Sequence, residues 1–220
     1  MRKPTRTVVL ASGSGSNFQA FIDDNSGPGR LLDICGLVCD NAAAYALQRA
    51  QQADIPATVV AFDKLKPRTD FDTALATAVD DYAPELVILA GFMKIIAGPL
   101  LTRYAGRLLN IHPALLPKFK GLNTHQRCLD ARDIAHGSTV HFVTAGLDDG
   151  PAILQASLVV APDDTAATLS ARVQAMEHKI YPMAARWVAE GRAMFENNQA
   201  ILDGIALTAP VVVTEEELMT

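Results

Sequence analysis

The chain has 220 residues, half of them hydrophobic and a fifth charged, with a formal net charge of −5. That is material for one full core, and it carries no basic footprint for a phosphate backbone, which excludes nucleic acid as a partner. A membrane is excluded as well, because no apolar run approaches the ~20 residues a bilayer demands. The opening MRKPTRTVVLAS runs straight into a glycine-rich turn where a signal peptide would have its cleavage pattern, so the protein is expected in the cytoplasm.

Taken in chain order, the apolar run TVVLA (7–11) reads as a strand and is followed by a helical segment from Ser16. DICGLVC (33–39) precedes the helical AAAYALQRAQQ (42–52), and ATVVAF (57–62) precedes a helix over 69–82. ELVILAGF (85–92) and RLLNI (107–111) bracket a short helical stretch at PLLTRY. Strands apolar on both faces and separated by helices are parallel strands covered on both sides. Later the pattern changes: STVHFVT (138–144) and AILQASLVV (152–160) are joined by a connection too short for a helical crossover, which fits an antiparallel pair.

From Thr165 a long helix carries Leu169, Val173, Met176, Ile180, Met183 and Trp187 as one buried stripe, with Pro162 and two aspartates as its start signal. The stretch 206–220 is weakly patterned and reads as a tail. The fold class is therefore α/β: a Rossmann-like, mostly parallel sheet with helices on both faces and an antiparallel portion in the C-terminal half. Cys35, Cys39 and Cys128 have no paired spacing. On one strand Cys35 and Cys39 share a face roughly 13 Å apart at ~3.3 Å per residue, too far for a disulfide or a shared metal, and no metal is expected.

In such sheets ligands bind beyond the carboxyl ends of the strands. Three stretches lie there. ASGSGSNFQAF offers glycines and polar side chains at a helix N-terminus, which fits a phosphate cradle and a plain serine-capped turn equally well; Phe18 stands where a dinucleotide fingerprint wants glycine. In NIHPALLPKFKG, Asn110 and His112 alternate with Ile111 and so point to one face, and Pro113 and Pro117 stiffen the exit. An amide beside an imidazole can hold a developing oxyanion and move a proton, although a histidine ending a strand is commonly structural. GLDDGP (146–151) reads as a solvated turn unless one aspartate meets His112, where a carboxylate would favour the charged imidazole. His141 shares a strand face with Thr139, as site support or as a core histidine; Asp40 reads as a helix cap. His125, His136 and His178 show no functional signal.

SGSGSN, LAGFMKI, NIHPALLPKFKG, HGSTVHFVT, LDDGP and RVQAMEHKIYP, in this order, closely resemble the glycinamide ribonucleotide formyltransferases, a branch of the folate-dependent formyltransferase family, over about residues 7–192. The resemblance implies a formyltransferase domain over 1–205, with a nucleotide-binding half (1–110) and a folate and catalytic half (111–205). It implies formyl transfer from 10-formyltetrahydrofolate to glycinamide ribonucleotide, small-molecule partners only, and a monomer or homodimer. Asn110, His112 and Asp148 match the catalytic trio. Gly15, Ser16 and Asn17 match the phosphate loop, and Gln174, Met176 and Glu177 the segment contacting the rest of that substrate. Met93, Lys94, Ile95 and Ile96, with Thr144, Ala145, Gly146, Leu147 and Asp148, match the folate walls, as Asn110 does. Arg68 matches a basic position that meets an anion, assigned to the folate side.

Four positions depart from the family pattern. Lys94 stands where arginine is common, Lys120 replaces a proline, Asn123 replaces a histidine, and Asp149 occupies a small-residue position. The rivals are a formyltetrahydrofolate deformylase, expected to carry an additional N-terminal domain; a methionyl-tRNA formyltransferase, expected to carry a basic C-terminal domain; and a silent mononucleotide-binding module.

Overall fold

The computed structural model describes residues 3–27 and 29–219. The chain forms two compact units, Met1–Asn110 and Ile111–Thr220.

In the first unit, β1 (Thr5–Ala11), β2 (Leu32–Cys39), β3 (Ala57–Val59), β4 (Leu86–Leu89) and β5 (Leu108–His112, which leaves the unit after Asn110) lie in the order β3-β2-β1-β4-β5. Every pair here is parallel. Val8, Val9, Leu10 and Ala11 are fully buried, as a strand covered on both faces requires. The β1–β2 register slips between Thr7 and Val8, leaving Cys35 without a partner position; its thiol donates to the Thr7 carbonyl at 3.4 Å. The next residue, Gly36, admits the Tyr82 ring, which would lie 2.5 Å from any added Cβ.

The helices of this unit are α1 (Ser16–Asp24), α2 (Ala46–Gln52), α3 (Arg68–Asp80) and α4 (Gly98–Arg103). The strand expected over 57–62 stops at Val59, because the chain leaves the sheet to set Phe62 edge-on against Phe71 of α3, centroids 5.1 Å apart.

The second unit contains α5 (Thr124–Asp130), β6 (Ala135–Phe142), β7 (Ala152–Val159), α6 (Ala166–Ala189), β8 (Ala193–Glu196), β9 (Gln199–Leu202), β10 (Ile205–Ala206), β11 (Val211–Thr214) and α7 (Glu215–Met219). β6 and β7 pair antiparallel, as their short connection demands, and β11 adds to β7 in parallel. β8, β9 and β10 make a separate antiparallel sheet. The whole is an α/β fold, mostly parallel, with its antiparallel portion in the C-terminal half.

α6 opens on a capping box in which the Thr165 side chain accepts from the Thr168 N–H and Thr168 answers the Thr165 N–H. Leu169, Val173, Met176 and Ile180 are buried as the stripe predicts. Beyond Ile180 the buried side passes to Tyr181, Ala184, Ala185 and Ala189, while Met183 and Trp187 stay half-exposed. Small alanines let the helix approach its neighbours closely there, and Trp187 stacks under Arg192, 5.6 Å from the guanidinium.

The stretch read as a loose tail is structured. Val211–Thr214 supplies β11, and Glu215 of α7 takes a two-pronged bond from Arg172, at 3.1 and 2.6 Å. Thr220 lies outside the described residues. Among the described residues, no helix is long and apolar enough to cross a membrane.

Candidate active site

In the first unit the glycine-rich loop is fixed from beneath by α2. Gly15 sits at φ 70, and a Cβ there would lie 2.8 Å from the Ala46 Cβ, so both backbone shape and space require glycine. The Ala46 N–H donates to the Gly13 carbonyl at 3.1 Å, and Arg49 Nε donates to the Ser14 carbonyl at 2.8 Å. Ser16 and Asn17 open α1, with Asn17 buried. This places the candidate phosphate loop at the N-terminus of a nine-residue helix.

The 93–96 segment is tied to the same loop, since the Met93 N–H donates to Ser12 Oγ at 2.8 Å. Met93 and Ile95 are exposed, whereas Ile96 is packed in the core. Lys94 bridges to Asp40 at 3.2 Å and lies 4.8 Å from the centroid of the Phe62 ring. Asp40 therefore anchors Lys94 and caps no helix; α2 begins later, after Tyr45. The Arg68 guanidinium is engaged by Asp72 at 2.7 Å and by the Ile95 carbonyl, with the Phe62 and Phe71 rings at 5.7 and 5.4 Å.

In the second unit, His112 ends β5 and Asp148 lies in the β6–β7 connection. His112 Nδ1 is 3.2 Å from Asp148 Oδ2, and the two side chains are 7% and 10% exposed. His112 Nε2 is 3.0 Å from the Phe119 carbonyl. Both neighbours are acceptors, so a ring carrying a proton on each nitrogen satisfies both.

The two partners are held by unusual backbone. Asp148 has φ 46 and Phe119 φ 54, left-handed values that an aspartate tolerates and an aromatic residue seldom adopts. Phe119 is kept there by the Arg127 guanidinium at 5.6 Å and the His136 ring at 6.2 Å. Asp148 is held by the Gly121 N–H, which donates to Oδ2 at 2.9 Å. His141 Nε2 stands 4.0 Å from Asp148 Oδ1, and burial pushes the His141 imidazole below its ordinary value, which keeps it neutral beside the carboxylate.

The other residues singled out in sequence are placed as follows. Asn110 lies two positions before His112 on β5, half-buried. Ala145, Gly146 and Leu147 are exposed and Thr144 half-buried. On α6, Gln174 is exposed and Glu177 buried, while Met176 is fully buried in the stripe.

Two of the departures meet, since Lys120 forms an ion pair with Asp149. A third, Asn123, adopts φ 58 immediately before α5, a left-handed position that asparagine tolerates.

Sequence reasoning missed two groups. His125 Nδ1 lies 3.0 Å from His136 Nε2, a pairing to which nothing in the local pattern points. The other is Gln155, whose one available signal was an amide in the middle of the apolar run AILQASLVV.

Comparison with known proteins follows the same lines. The Formyl transferase family matches residues 5–185. The chain is 45% identical over 197 residues to the phosphoribosylglycinamide formyltransferase of Escherichia coli (strain K12), covering 90% of this chain and 93% of that protein. It is 42% identical to the trifunctional purine biosynthetic protein adenosine-3 of Homo sapiens, covering 91% of this chain but 20% of that longer protein.

Among solved structures, the phosphoribosylglycinamide formyltransferase of Coxiella burnetii superposes with a TM-score of 0.90 at 45% identity, covering 95% of this chain and all of that one. A formyltetrahydrofolate deformylase from Pseudomonas syringae reaches a TM-score of 0.85 at 22% identity, over 91% of this chain and 66% of that one, a likeness of fold alone. With the family matched over most of its length, this chain belongs to the formyl transferase family.

Proposed function

We propose that the protein transfers the formyl group of 10-formyltetrahydrofolate to the amine of glycinamide ribonucleotide, a step of purine biosynthesis. The observation that carries this reading is the His112–Asp148 contact at 3.2 Å, with Asp148 oriented by the Gly121 N–H, in a chain of this family. In the first unit, the exposed apolar side chains Met93 and Ile95 suit contact with the flat, largely apolar face of a pterin.

In this reading the glycinamide nitrogen attacks the formyl carbon. The new C–N bond forms, the bond from that carbon to N10 breaks, and the proton lost by the amine is taken up by N10. Negative charge builds on the formyl oxygen as the nitrogen adds. Asn110 donates to that oxygen, the His112 Nε2 N–H turns to it from the Phe119 carbonyl, and Asp148 orients His112 through Nδ1 and helps carry the amine proton away. Gly15, Ser16 and Asn17 take the ribonucleotide phosphate, while Gln174 and Glu177 contact other parts of that substrate. Because Arg68 already serves Asp72 and the Ile95 carbonyl, its part on the folate side is to brace the 93–96 segment. The reading also places the protein in the cytoplasm, which its free cysteines suit.

The test is to incubate the protein with 10-formyltetrahydrofolate, with and without glycinamide ribonucleotide, and to follow folate absorbance. Turnover only in the presence of the ribonucleotide is expected. Release of formate without it would identify a hydrolase, and no turnover in either case would refute the reading.

A further inference from the structure

Thr139 of β6 and Gln155 of β7 are direct partners across the antiparallel pair, and both are buried, at 0% and 8% exposure. Gln155 Nε2 donates to the Leu116 carbonyl at 2.9 Å and to Thr139 Oγ1 at 3.0 Å. Thr139 Oγ1 donates to the Ala114 carbonyl at 2.7 Å and accepts from the Leu116 N–H at 3.0 Å. An amide nitrogen has two hydrogens; a hydroxyl has one hydrogen and two lone pairs. All of these are used, so the cluster has a single consistent hydrogen-bond arrangement.

Its targets all lie in the backbone just after His112. The Ala114 N–H donates to the His112 carbonyl at 2.8 Å, so a shift at Ala114 is passed to the histidine. Gly137, two residues before Thr139 on β6, completes the seat. A Cβ there would lie 1.9 Å from the Ala156 carbonyl oxygen and 2.9 Å from Leu115 Cδ2, so the missing side chain is what lets Leu115 settle against the strand.

We propose that Gln155 is a positioning residue: through Thr139 and the 114–116 backbone it fixes His112 at its working distance from Asp148. An apolar side chain would cover this part of the sheet equally well but would leave the Leu116 carbonyl without this donor. The amide is retained because the loop has to be registered against the strand pair as well as covered. The kinetic part of the proposal rests on the formyl-transfer reading above; the geometric part does not.

The experiment compares Gln155→Met and Thr139→Val, which keep the shape and remove the hydrogen bonds, with Thr139→Ser, which keeps the hydroxyl. The first two are expected to lower kcat about tenfold to a hundredfold, with KM for both substrates within about twofold of the parent, and Thr139→Ser to retain most of kcat. Imidazole nitrogen NMR on the substrate-free protein supplies the second readout. The His112 resonances are expected to move in Gln155→Met and Thr139→Val and to stay in place in Thr139→Ser.

Unmoved His112 resonances in folded Gln155→Met and Thr139→Val, whether or not their melting temperatures fall, would overturn the proposal. Should Gln155→Met not fold, the two Thr139 variants decide. Because the NMR result needs no substrate, it stands even if the protein proves to act on a different acceptor.

Discussion

Asp148 Oδ2 is shared between His112 Nδ1, at 3.2 Å, and the Gly121 N–H, at 2.9 Å, so one carboxylate oxygen ties the loop after β5 to the β6–β7 connection. Replacing that carboxylate by an amide keeps the shape and removes the charge. Asp148→Asn is therefore expected to lower kcat by about 10²–10⁴, and His112→Ala by a similar factor, with circular dichroism unchanged. Ordinary turnover in a folded His112→Ala protein would remove that residue from the chemistry.

Lys120 and Asp149 are both departures from the family pattern, and the structure pairs them. The Lys120 ammonium holds the Asp149 carboxyl below the usual carboxylate range. Neutralising either partner should release the 144–149 stretch. Lys120→Ala and Asp149→Ala are each expected to speed amide hydrogen exchange there, and the double variant to add nothing further. High salt, with a Debye length of about 3 Å at 1 M, should erase the difference from the parent. Protection in all three variants equal to that of the parent at low salt would show that the pair holds nothing.

The His125–His136 contact makes a pH prediction. Burial, reinforced by His125, pushes His136 down to about 4, and burial together with His112 lowers His125 as well. An unfolded histidine titrates near ~6.5, so between that pH and about 4 the unfolded chain binds more protons than the folded one. Stability is then full above the unfolded value and declines as pH falls through this window. Urea midpoints measured from pH 7 downward should trace that decline, and His136→Gln should flatten it.

Gly150 follows the Asp pair where the chain passes against Phe142, the last residue of β6. An added Cβ would lie 1.7 Å from the Phe142 carbonyl oxygen and 3.4 Å from His141 Nδ1. Neither neighbour is the loose end of a flexible chain. Gly150→Ala is expected to destabilise the protein by about 1–3 kcal/mol, read as a lower urea midpoint at unchanged m-value.

Much of this architecture was readable because it repeats locally. The doubly covered segments VVLA of β1 and LVIL of β4 are unbroken apolar runs, and α6 advertises both its start near Thr165 and its stripe from Leu169 to Ile180. What escaped depends on distant partners. α5 follows a left-handed asparagine with no side-chain cap, β10 has two exposed residues, and VVVT gives no local sign that its partner is β7.

The site divides along the same line. Asn110 and His112 could be paired from strand alternation alone, but Asp148 entered through the family resemblance, since an Asp-Asp turn looks like any solvated turn. Phe119 and Gln155 act on His112 through backbone contacts that no spacing rule anticipates.

β11 is made after every other strand among the described residues, yet it covers the edge of β7, which is synthesised well before it. During translation β7 therefore emerges with that edge bare and stays so until Val211–Thr214 clears the ribosome. A stalled or prematurely terminated chain would present an open strand ready to pair with a neighbouring nascent copy. Once Val211–Thr214 has paired, that edge of β7 is covered and the outer position passes to the four-residue β11.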